Sequence, residues 1–395
     1  MAEAVAAAHS TEWAAVLAAT ARVAADLDLA EDCVQDAYAK ALVHWRDQGV
    51  PRRPGAWLTT VATRRALELR RRADVARRKL PLLMPEDDVQ DRTFPDDRLR
   101  LVFTCCHPAL AQEAQIALTL RLVCGLSSAE IARAFLVKET TMQARITRAK
   151  QKISRSGIPY RIPKAPDLPE RIDAVLDVVH LVYAAGHTAA DGDALTRTDL
   201  GRRGLDLARM IRLLLPDSSE AAGLLALLLL TQAREAARVT NGRLVLMEDQ
   251  DRSLWDRELI DEGLRLVPEA LRPAGRFGLM SAIAAVHAEA ARWEDTDWSE
   301  ILGLYDVLLE RWPSPVVALN RVVAISYVAG PEAALAQLPD DPALATYPYL
   351  ASTRGELLWR CGRIQDARAA YEEALAFTSN AVEAEFLQRR ITRGA

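Results

Sequence analysis

Cysteine is scarce in this sequence. The 395 residues include five cysteines, an odd number, and none of them lies in a CxxC spacing. A tetrahedral metal site needs four ligands, and no second pair is present to complete one with Cys105, Cys106 and His107. We therefore predict that these two cysteines fill core positions and that the chain works in the reducing cytoplasm.

Long hydrophobic runs and catalytic motifs are also missing. The longest apolar run, residues 224–230, is too short to cross a bilayer, and residues 1–11 lack the basic start and long apolar stretch of an export signal. Neither a glycine-rich phosphate loop nor a nucleophile elbow occurs, and the six histidines are scattered. The sequence therefore favours a protein that is not an enzyme, has no cofactor or metal and has no membrane segment.

Sustained alternation of apolar and polar residues is absent, although half of the residues are apolar. This pattern predicts an all-α fold. The length allows two or three domains. We predict small helical domains at residues 10–80 and 98–157, an acidic linker at 81–97, and a C-terminal helical domain at 163–395.

The segment SSAEIARAFLVKETTMQARITRAKQKI, residues 127–153, has the pattern of a helix-turn-helix. Ser127 and Glu130 form a capping box that opens the first helix, and a short turn follows around Leu136. The second helix has a narrow apolar seam that repeats at intervals of 4, 3 and 4 residues, formed by Met142, Ile146, Ala149 and Ile153.

The face opposite this seam is polar or small and suits the major groove of duplex DNA. Glutamine and arginine can pair with purine edges, while lysine and arginine neutralise phosphates. The face comprises Gln143, Ala144, Thr147, Arg148, Lys150 and Lys152. The alternative is a solvated amphipathic helix in some other helical domain.

Net charge is only −4, but the basic residues are unevenly distributed. Ten arginines and lysines fall between positions 52 and 79, against only Glu68 and Asp74. Such a block can be a solvated helix face, yet three consecutive arginines with so few acids favour an anionic partner. The segment PEDDVQDRTFPDD that follows is acidic and flanked by prolines, which is typical of a flexible linker.

Two helices are predicted within residues 10–80. The first has a broad apolar face, made of Leu29, Cys33, Val34, Ala37, Tyr38, Ala41, Leu42 and Trp45, and an acidic face opposite it, made of Asp28, Glu31, Asp32, Gln35 and Asp36. The acidic face could contact a basic protein surface or could simply be solvated near a helix start. The second helix starts at Pro54 and presents Thr60, Thr63, Arg64 and Arg71 outward, a set suited to a nucleic-acid backbone.

Several motifs in order resemble a known family. LAEDCVQDAYAKAL, then GVPRRPGAWLTTVATRRALELRRR, an acidic linker and the helix-turn-helix resemble a bacterial RNA polymerase sigma factor of the extracytoplasmic-function (ECF) type, over about residues 10–157. FTCCHPAL and AEIARAFLV, followed by a long helical tail with QDRSLWD, TDW and LNR, resemble the subgroup with a tetratricopeptide-like C-terminal extension.

The resemblance implies a function and roles for particular residues. The chain would bind core RNA polymerase and direct transcription initiation at promoter DNA. Asp32, Gln35 and Asp36 would contact the polymerase. The helix from Pro54 would recognise and melt the minus-10 element, with Thr60, Thr63, Arg64 and Arg71 at the DNA. The helix-turn-helix would read the minus-35 element through Lys138, Gln143, Ala144, Thr147 and Arg148. Small Ala144 and neutral Gln143 offer fewer strong contacts than a run of arginines, so DNA shape could carry part of the specificity.

The C-terminal segment contains one good tetratricopeptide-like match, LASTRGELLWRCGRIQDARAAYEEALAFTSNA, and a looser one, VVALNRVVAISYVAGPEAALAQL. The small and aromatic packing positions of the first are Gly355, Gly362, Ala367, Tyr371 and Ala374. Two further polar and aromatic groups are Gln250, Asp251, Arg252, Trp255 and Asp256, and Thr296, Asp297 and Trp298. An exposed arginine and tryptophan would suit an interface, and an interior salt bridge beneath an indole is an equal alternative.

The predicted function is therefore that of a sigma factor regulated by its own C-terminal domain, which would dock on the two DNA-binding domains. The main alternative is a stand-alone helix-turn-helix regulator with a helical sensor domain, which would read palindromes as a dimer without polymerase. A third possibility is an α-solenoid scaffold whose basic segments are incidental. The salt dependence of DNA binding would distinguish the scaffold from the two DNA-binding alternatives, because phosphate contacts make the affinity for DNA fall steeply as the salt concentration rises.

Overall fold

The computed structural model describes residues 2–77, 97–135, 137–164, 166–189 and 191–392. The chain divides into two compact units, Met1–Val179 and His180–Ala395. Within the described residues the fold consists of 18 α-helices with short 3₁₀ and π-helical turns, and its four strands are only two residues long. The predicted all-α fold is confirmed, while the domain boundaries drawn from the sequence stay predictions.

The first unit is built from short and long helices. In chain order they are α1 (Ala2–Ala24), α2 (Leu27–Gln48), α3 (Pro54–Arg77), α4 (Asp97–Cys105), α5 (Gln112–Leu118), a π-helical turn (Thr119–Val123), α6 (Ser128–Ala134) and α7 (Glu139–Arg155). The division between the units falls within α8 (Leu168–His187). Except for Asp97, the acidic linker predicted at 81–97 lies outside the described residues.

The second unit continues with helices that follow one another closely. They are α9 (Thr198–Leu214), α10 (Ser219–Gln232), α11 (Arg257–Ala270), α12 (Arg276–Glu289), α13 (Trp298–Arg311), α14 (Pro315–Val328), α15 (Pro331–Leu335), α16 (Pro348–Arg360), α17 (Ile364–Ala376) and α18 (Ala381–Thr392). The strands are β1 (Asp191–Gly192), parallel to β4 (Ser379–Asn380), and the hairpin of β2 (Val239–Thr240) with β3 (Arg243–Leu244). Asn241 and Gly242 turn the hairpin with positive φ at both positions, as a tight two-residue turn requires.

Helices α1, α2 and α3 pack as a bundle. Asp26 caps α2 by accepting a hydrogen bond from the Leu29 amide at 2.8 Å. The predicted apolar face of α2 is buried at Cys33, Val34, Ala37, Tyr38, Ala41 and Trp45, whereas Leu29 is half-buried. Leu42, which we expected inside, is 47% exposed.

The helix-turn-helix has its predicted capping box and seam. The Ser127 amide donates to Glu130 Oε2 at 2.7 Å and the Glu130 amide donates to Ser127 Oγ at 3.2 Å, so two unpaired amides of α6 are satisfied reciprocally. All four seam residues of α7 are buried. The predicted turn residue Leu136 lies outside the described residues. The local fold of this segment therefore follows from its sequence pattern.

Helices α16 and α17 form a helical hairpin around Tyr371. Gly355 of α16 lies against the Tyr371 ring, where an added Cβ would come within 2.9 Å of two ring carbons. Ala367 and Ala374 are fully buried, and Gly362 turns the chain between the helices with φ of 75°. The predicted packing positions are confirmed for Gly355, Ala367, Tyr371 and Ala374, whereas the prediction for Gly362 is wrong, because this glycine is exposed and serves the turn.

Candidate nucleic-acid and protein interfaces

The outward face of α7 carries the residues expected to read duplex DNA. All five predicted positions, Lys138, Gln143, Ala144, Thr147 and Arg148, are exposed. Gln143 donates to Glu139 Oε1 at 2.9 Å, and Arg148 Nε donates to the Ala144 carbonyl at 3.1 Å. The Arg148 contact uses one of five guanidinium donors, so the side chain retains donors for a base or phosphate.

The two lysines of the polar face differ in exposure: Lys152 is exposed as predicted, but Lys150 is not. The Lys150 side chain is only 9% exposed, and its Nζ lies 2.7 Å from Asp28 Oδ1 and 2.6 Å from Glu31 Oε2. Lys152 Nζ donates to the Ala109 carbonyl. The expectation that Lys150 faces DNA is therefore corrected, because the acidic end of α2 packs against this edge of α7 and captures the ammonium group.

The face of α3 proposed for single-stranded promoter DNA is also on the surface. Thr60, Arg64 and Arg71 are exposed and Thr63 is half-buried. The two hydroxyls donate back to their own helix, Thr60 to the Ala56 carbonyl at 2.8 Å and Thr63 to the Thr59 carbonyl at 2.6 Å. Their oxygens can still accept hydrogen bonds, and the arginines alongside supply the positive charge that a phosphate chain needs.

Part of the basic block is neutralised within the chain. Arg65 lies 3.0 Å from Glu68 and 3.6 Å from Asp36, and Arg72 lies 2.5 Å from Glu68. The hydrogen bond to Arg65, together with attraction to Arg72, lowers the pKa of Glu68. The charge of this segment is therefore concentrated on the remaining exposed arginines, while Arg78 and Lys79 lie outside the described residues.

The acidic face of α2 comprises Asp28, Glu31, Asp32, Gln35 and Asp36, all of which are exposed except Glu31. Gln35 donates to Glu31 Oε1 at 3.2 Å. Partial burial and repulsion from Glu31 and Asp28 raise the pKa of Asp32. A cationic partner surface would relieve this repulsion, which makes the exposed part of the face a suitable protein contact.

Cys105 and Cys106 are fully buried at the end of α4, as predicted. Burial raises the pKa of Cys106 to about 12, and its Sγ lies 3.5 Å from Thr119 Oγ1. His107 Nδ1 accepts from the Ala109 amide at 3.1 Å. Over the described ranges, no group of three or more histidine, cysteine or acidic side chains is placed to hold a metal ion, and no helix is long and apolar enough to span a bilayer.

The polar and aromatic groups at residues 250–256 and 296–298 of the second unit make contacts within the fold. Asp251, Asp256 and Asp297 accept hydrogen bonds from backbone amides two or three residues further on. The Arg252 guanidinium lies 4.5 Å from the centre of the buried Trp255 ring and donates to the His287 carbonyl at 2.8 Å. Arg252 therefore lies against an indole, as the second alternative predicted. It forms a hydrogen bond to a backbone carbonyl at the end of α12, however, and not the predicted salt bridge to a carboxylate.

An aromatic cluster surrounds His287. Its ring is stacked on Trp293 at 6.1 Å and meets Trp298 edge-on at 5.3 Å, and Trp298 stacks on Tyr327 at 4.1 Å. Burial, together with the nearby positive charges of Arg234 and Arg252, lowers the pKa of His287 to about 4. This imidazole is therefore neutral near pH 7.

An exposed polar recognition helix in a helix-turn-helix and a second exposed basic helix define an all-helical DNA-binding protein. Comparison with known families agrees with this. Residues 14–75 match sigma-70 region 2, and residues 100–153 match sigma-70 region 4. Residues 171–271 match a family of unknown function (DUF6596).

An uncharacterized protein of Rhizobium meliloti (strain 1021) is 43% identical to this chain over 384 residues, which cover 93% of this chain and 90% of that protein. No solved structure matches the chain. The chain belongs to the sigma-70 family of RNA polymerase sigma factors and has a C-terminal extension. It binds RNA polymerase and promoter DNA for transcription initiation.

The sequence pattern did not indicate that two residues of the first unit, Trp13 and Glu31, are buried. Trp13, in a helix that the sequence analysis did not describe, is 5% exposed. Its spacing to Leu17, Thr20 and Ala24, all buried, is a helical stripe that could have revealed α1. Glu31 belongs to the predicted acidic face, but it is 4% exposed, and nothing in the pattern indicates the partner that buries it.

Proposed function

We propose that this sigma factor is of the extracytoplasmic-function type and that each of its two matched regions binds one promoter element. Helix α7 reads the minus-35 element, and α3 recognises the minus-10 element and stabilises its melted strand. The observation that carries the proposal is that both helices present their proposed DNA residues at the surface. The opposite side of each is packed inward, through the buried seam of α7 and through Leu58, Ala62 and Ala66 of α3. The protein itself is non-catalytic and acts in the cytoplasm together with the polymerase.

The polymerase contact lies on α2 under this proposal. Asp32, Gln35 and Asp36 are exposed on one face, and the pKa of Asp32 is raised by partial burial and by repulsion from Glu31 and Asp28. A basic polymerase surface would be stabilised against this face. Asp32→Ala should weaken binding to core polymerase and leave the preference among promoter sequences unchanged.

The test is run-off transcription with purified core polymerase on a panel of promoters. The full chain should make transcription promoter-dependent, and Arg148→Ala should reduce discrimination among minus-35 sequences. Loss of polymerase binding by Arg148→Ala, with altered promoter preference from Asp32→Ala, would show that the surfaces are assigned wrongly. Tight binding of the chain alone to a palindromic duplex would favour the stand-alone regulator.

The C-terminal unit is proposed to be a tetratricopeptide-like regulator that docks on the sigma regions. The support is its size and the helical hairpin around Tyr371, since stacked helix pairs leave a surface for a partner. A truncation should keep residues through 179, because Arg171 of α8 donates to the Phe103 carbonyl and lies 5.9 Å from the Phe103 ring. Unchanged transcription and unchanged control after that truncation would end this part of the proposal.

A further inference from the structure

The loop between α10 and α11 brings three arginines close together. Arg234 and Arg238 flank one 3₁₀ turn of this loop, and Arg252 opens another. The Asp256 amide donates to the Ala233 carbonyl at 2.9 Å, which joins the two ends of the loop. The three side chains are therefore held in place by a loop that is tied to the helices on both sides, and positioned loops of this kind often carry binding residues.

Two of these arginines are paired with atoms of the fold. Arg238 donates to the His187 carbonyl at the end of α8 and to Thr188 Oγ1 at 3.1 Å. Arg252 donates to the His287 carbonyl at the end of α12 at 2.8 Å. Positive charge is favoured at the carboxyl end of a helix, so both contacts stabilise the second unit.

Arg234 differs from them, because it has no such partner. It follows α10 directly and is partly buried. Among the described residues, its guanidinium has neither a hydrogen-bond acceptor nor an ion-pair partner. Its nitrogens are also not sealed from water within this part of the chain. The group is therefore enclosed, charged and still able to bind a solute.

The surroundings of Arg234 are electrostatically positive. Burial lowers the pKa of Arg234 to about 10, and repulsion from Arg238 and Arg252 adds to this effect. Burial, together with two of these arginines in each case, also lowers the pKa of His187 to about 2 and that of His287 to about 4. Near pH 7 the guanidinium is therefore charged and both imidazoles are neutral. An enclosed charge without a counter-charge costs stability, and such groups are concentrated at functional sites.

The acids close to this loop are bound to other groups. Glu235 accepts a hydrogen bond from the Thr198 hydroxyl at 2.8 Å, and Glu383 accepts one from the Tyr349 hydroxyl at 2.6 Å. Within the described ranges, neither carboxylate forms an ion pair with an arginine. The positive charge of Arg234 is thus not neutralised by these neighbours.

The indole of Trp255 supports two of the guanidinium groups. Arg252 lies 4.5 Å and Arg234 5.9 Å from the centre of this ring. Trp255 is 4% exposed, and in the described fold neither its Nε1 nor the buried Nη2 of Arg252 has a hydrogen-bond partner. Two like charges on one ring repel each other, and buried donors are normally paired. An anion bound beside Arg234 would reduce the repulsion and supply acceptors.

We propose that Arg234, with Arg238 and Arg252 beside it, forms a binding site for a phosphate group. A phosphate offers several acceptor oxygens and up to two negative charges, so one guanidinium can hold it through two hydrogen bonds while the other two attract it. A carboxylate has the paired oxygens but only one charge. The same phosphate chemistry is offered by the free ion and by a nucleotide. This site goes beyond promoter recognition and does not depend on it.

The test is isothermal titration of the full chain with inorganic phosphate and, separately, with ATP, at an ionic strength matched with sodium chloride. Arg234→Gln should weaken phosphate binding by on the order of tenfold or more, the usual effect of losing a hydrogen bond between charged groups. Arg265→Gln makes the same change in net charge at an exposed position of α11 and should bind as the parent chain does.

The two probes identify the source of the phosphate group. Tighter binding of inorganic phosphate would support a site for the free ion, and tighter binding of ATP would support a site for a phosphate ester. Binding of neither probe would overturn the site. Equal weakening by Arg234→Gln and Arg265→Gln would also overturn it, because the attraction would then be due to net charge alone.

Thermal unfolding separates a binding role of Arg234 from a structural one. Without phosphate, Arg234→Gln should unfold at the same temperature as the parent chain or at a higher one, because it removes an enclosed charge that has no partner. Phosphate should raise the unfolding temperature of the parent chain and of Arg265→Gln more than that of Arg234→Gln. A lower unfolding temperature of Arg234→Gln, with an unchanged response to phosphate, would make Arg234 structural and overturn the proposal.

A measurement on the parent chain does not require any variant to fold. Phenylglyoxal modifies unprotonated guanidine groups, so Arg234 should react faster than Arg265, and phosphate should protect Arg234 but not Arg265. Mass spectrometry of the digested chain gives both rates. Modification of Arg234 at the same rate with and without phosphate and ATP would overturn the site.

Discussion

The DNA-facing helices of the first unit and the aromatic cluster and its surroundings in the second unit use arginine in opposite ways. In the first unit, Arg64, Arg71 and Arg148 extend from helices into solvent. In the second, Arg238 donates to Thr188 Oγ1 at 3.1 Å, and Arg252 donates to the end of α12.

The difference shows that the direction of a cationic side chain, more than its abundance, marks a nucleic-acid surface. An inward guanidinium satisfies carbonyls that would otherwise be unpaired in the interior. An outward one keeps its donors for a phosphate or a base. The aromatic neighbours of Arg252 therefore belong to the core of the second unit, although the same residue types at the surface would indicate an interface.

The largest expected effect tests whether the second unit depends on its aromatic packing. Tyr371→Ala removes a buried ring that fills the space beside Gly355, and we expect the free energy of unfolding of this unit to fall by about 3–5 kcal/mol. Tyr371→Phe keeps the ring and loses only the 2.8 Å hydrogen bond to Glu356, at a cost of about 1 kcal/mol. Urea unfolding followed by circular dichroism measures both. Equal stability of the two variants would contradict the packing role.

A pH measurement tests the inward charges in the same unit. The pKa of His287 is lowered to about 4, below the ordinary 6.5, so the folded state binds fewer protons than the unfolded state between these values. Stability is therefore full above pH 6.5 and falls as the pH drops towards 4, by about 2 kcal/mol at pH 5 for this residue. Unfolding free energies at pH 7.5 and pH 5 should differ less in His287→Gln. The same pH dependence in variant and parent would assign the loss to other groups.

A third prediction concerns the outward arginine of the recognition helix. Arg148→Ala should reduce the advantage of a good minus-35 sequence over a poor one by on the order of tenfold, within the range of a side chain that pairs with a base. Arg155→Ala, which removes another exposed charge at the end of α7, should reduce transcription from both templates alike. Run-off transcription on the two templates gives the ratio. An unchanged ratio for Arg148→Ala would place base recognition elsewhere.

The smallest effect is expected from substituting single arginines on α3. Arg64→Ala should weaken binding of the polymerase complex to DNA severalfold and reduce the slope of log affinity against log salt by about 1, as loss of one phosphate contact does. Arg72→Ala should change the slope less, because Arg72 is already paired with Glu68 at 2.5 Å. Affinities at four salt concentrations supply the slopes. Equal slopes for the two variants would mean that internal ion pairs do not decide which arginines bind DNA.

The sequence predicted the helix-turn-helix well because its determinants are local. A capping box and a 3.6-residue seam specify where α6 and α7 lie and which residues each helix buries. The positions proposed for DNA contact follow from the same pattern, since they lie opposite the seam.

The sequence could not predict the partner of Lys150 because that depends on tertiary packing. Periodicity shows that a helix face is polar, but not whether water, DNA or another helix covers it. The same limit applies to Glu31, and to Leu42 at the edge of an apolar face. For the same reason the sequence does not decide whether Arg252 and Trp255 lie at an interface or in the interior. The hydrogen bond from Arg252 to the His287 carbonyl and its contact with the Trp255 ring place them in the interior.

The absence of a side chain at Gly125 has an evolutionary consequence. A positive φ and the close approach of the Trp13 indole both penalise any other residue at this position. Homologous chains that carry a bulky residue there cannot bring their N-terminal tryptophan against the same loop in the same way.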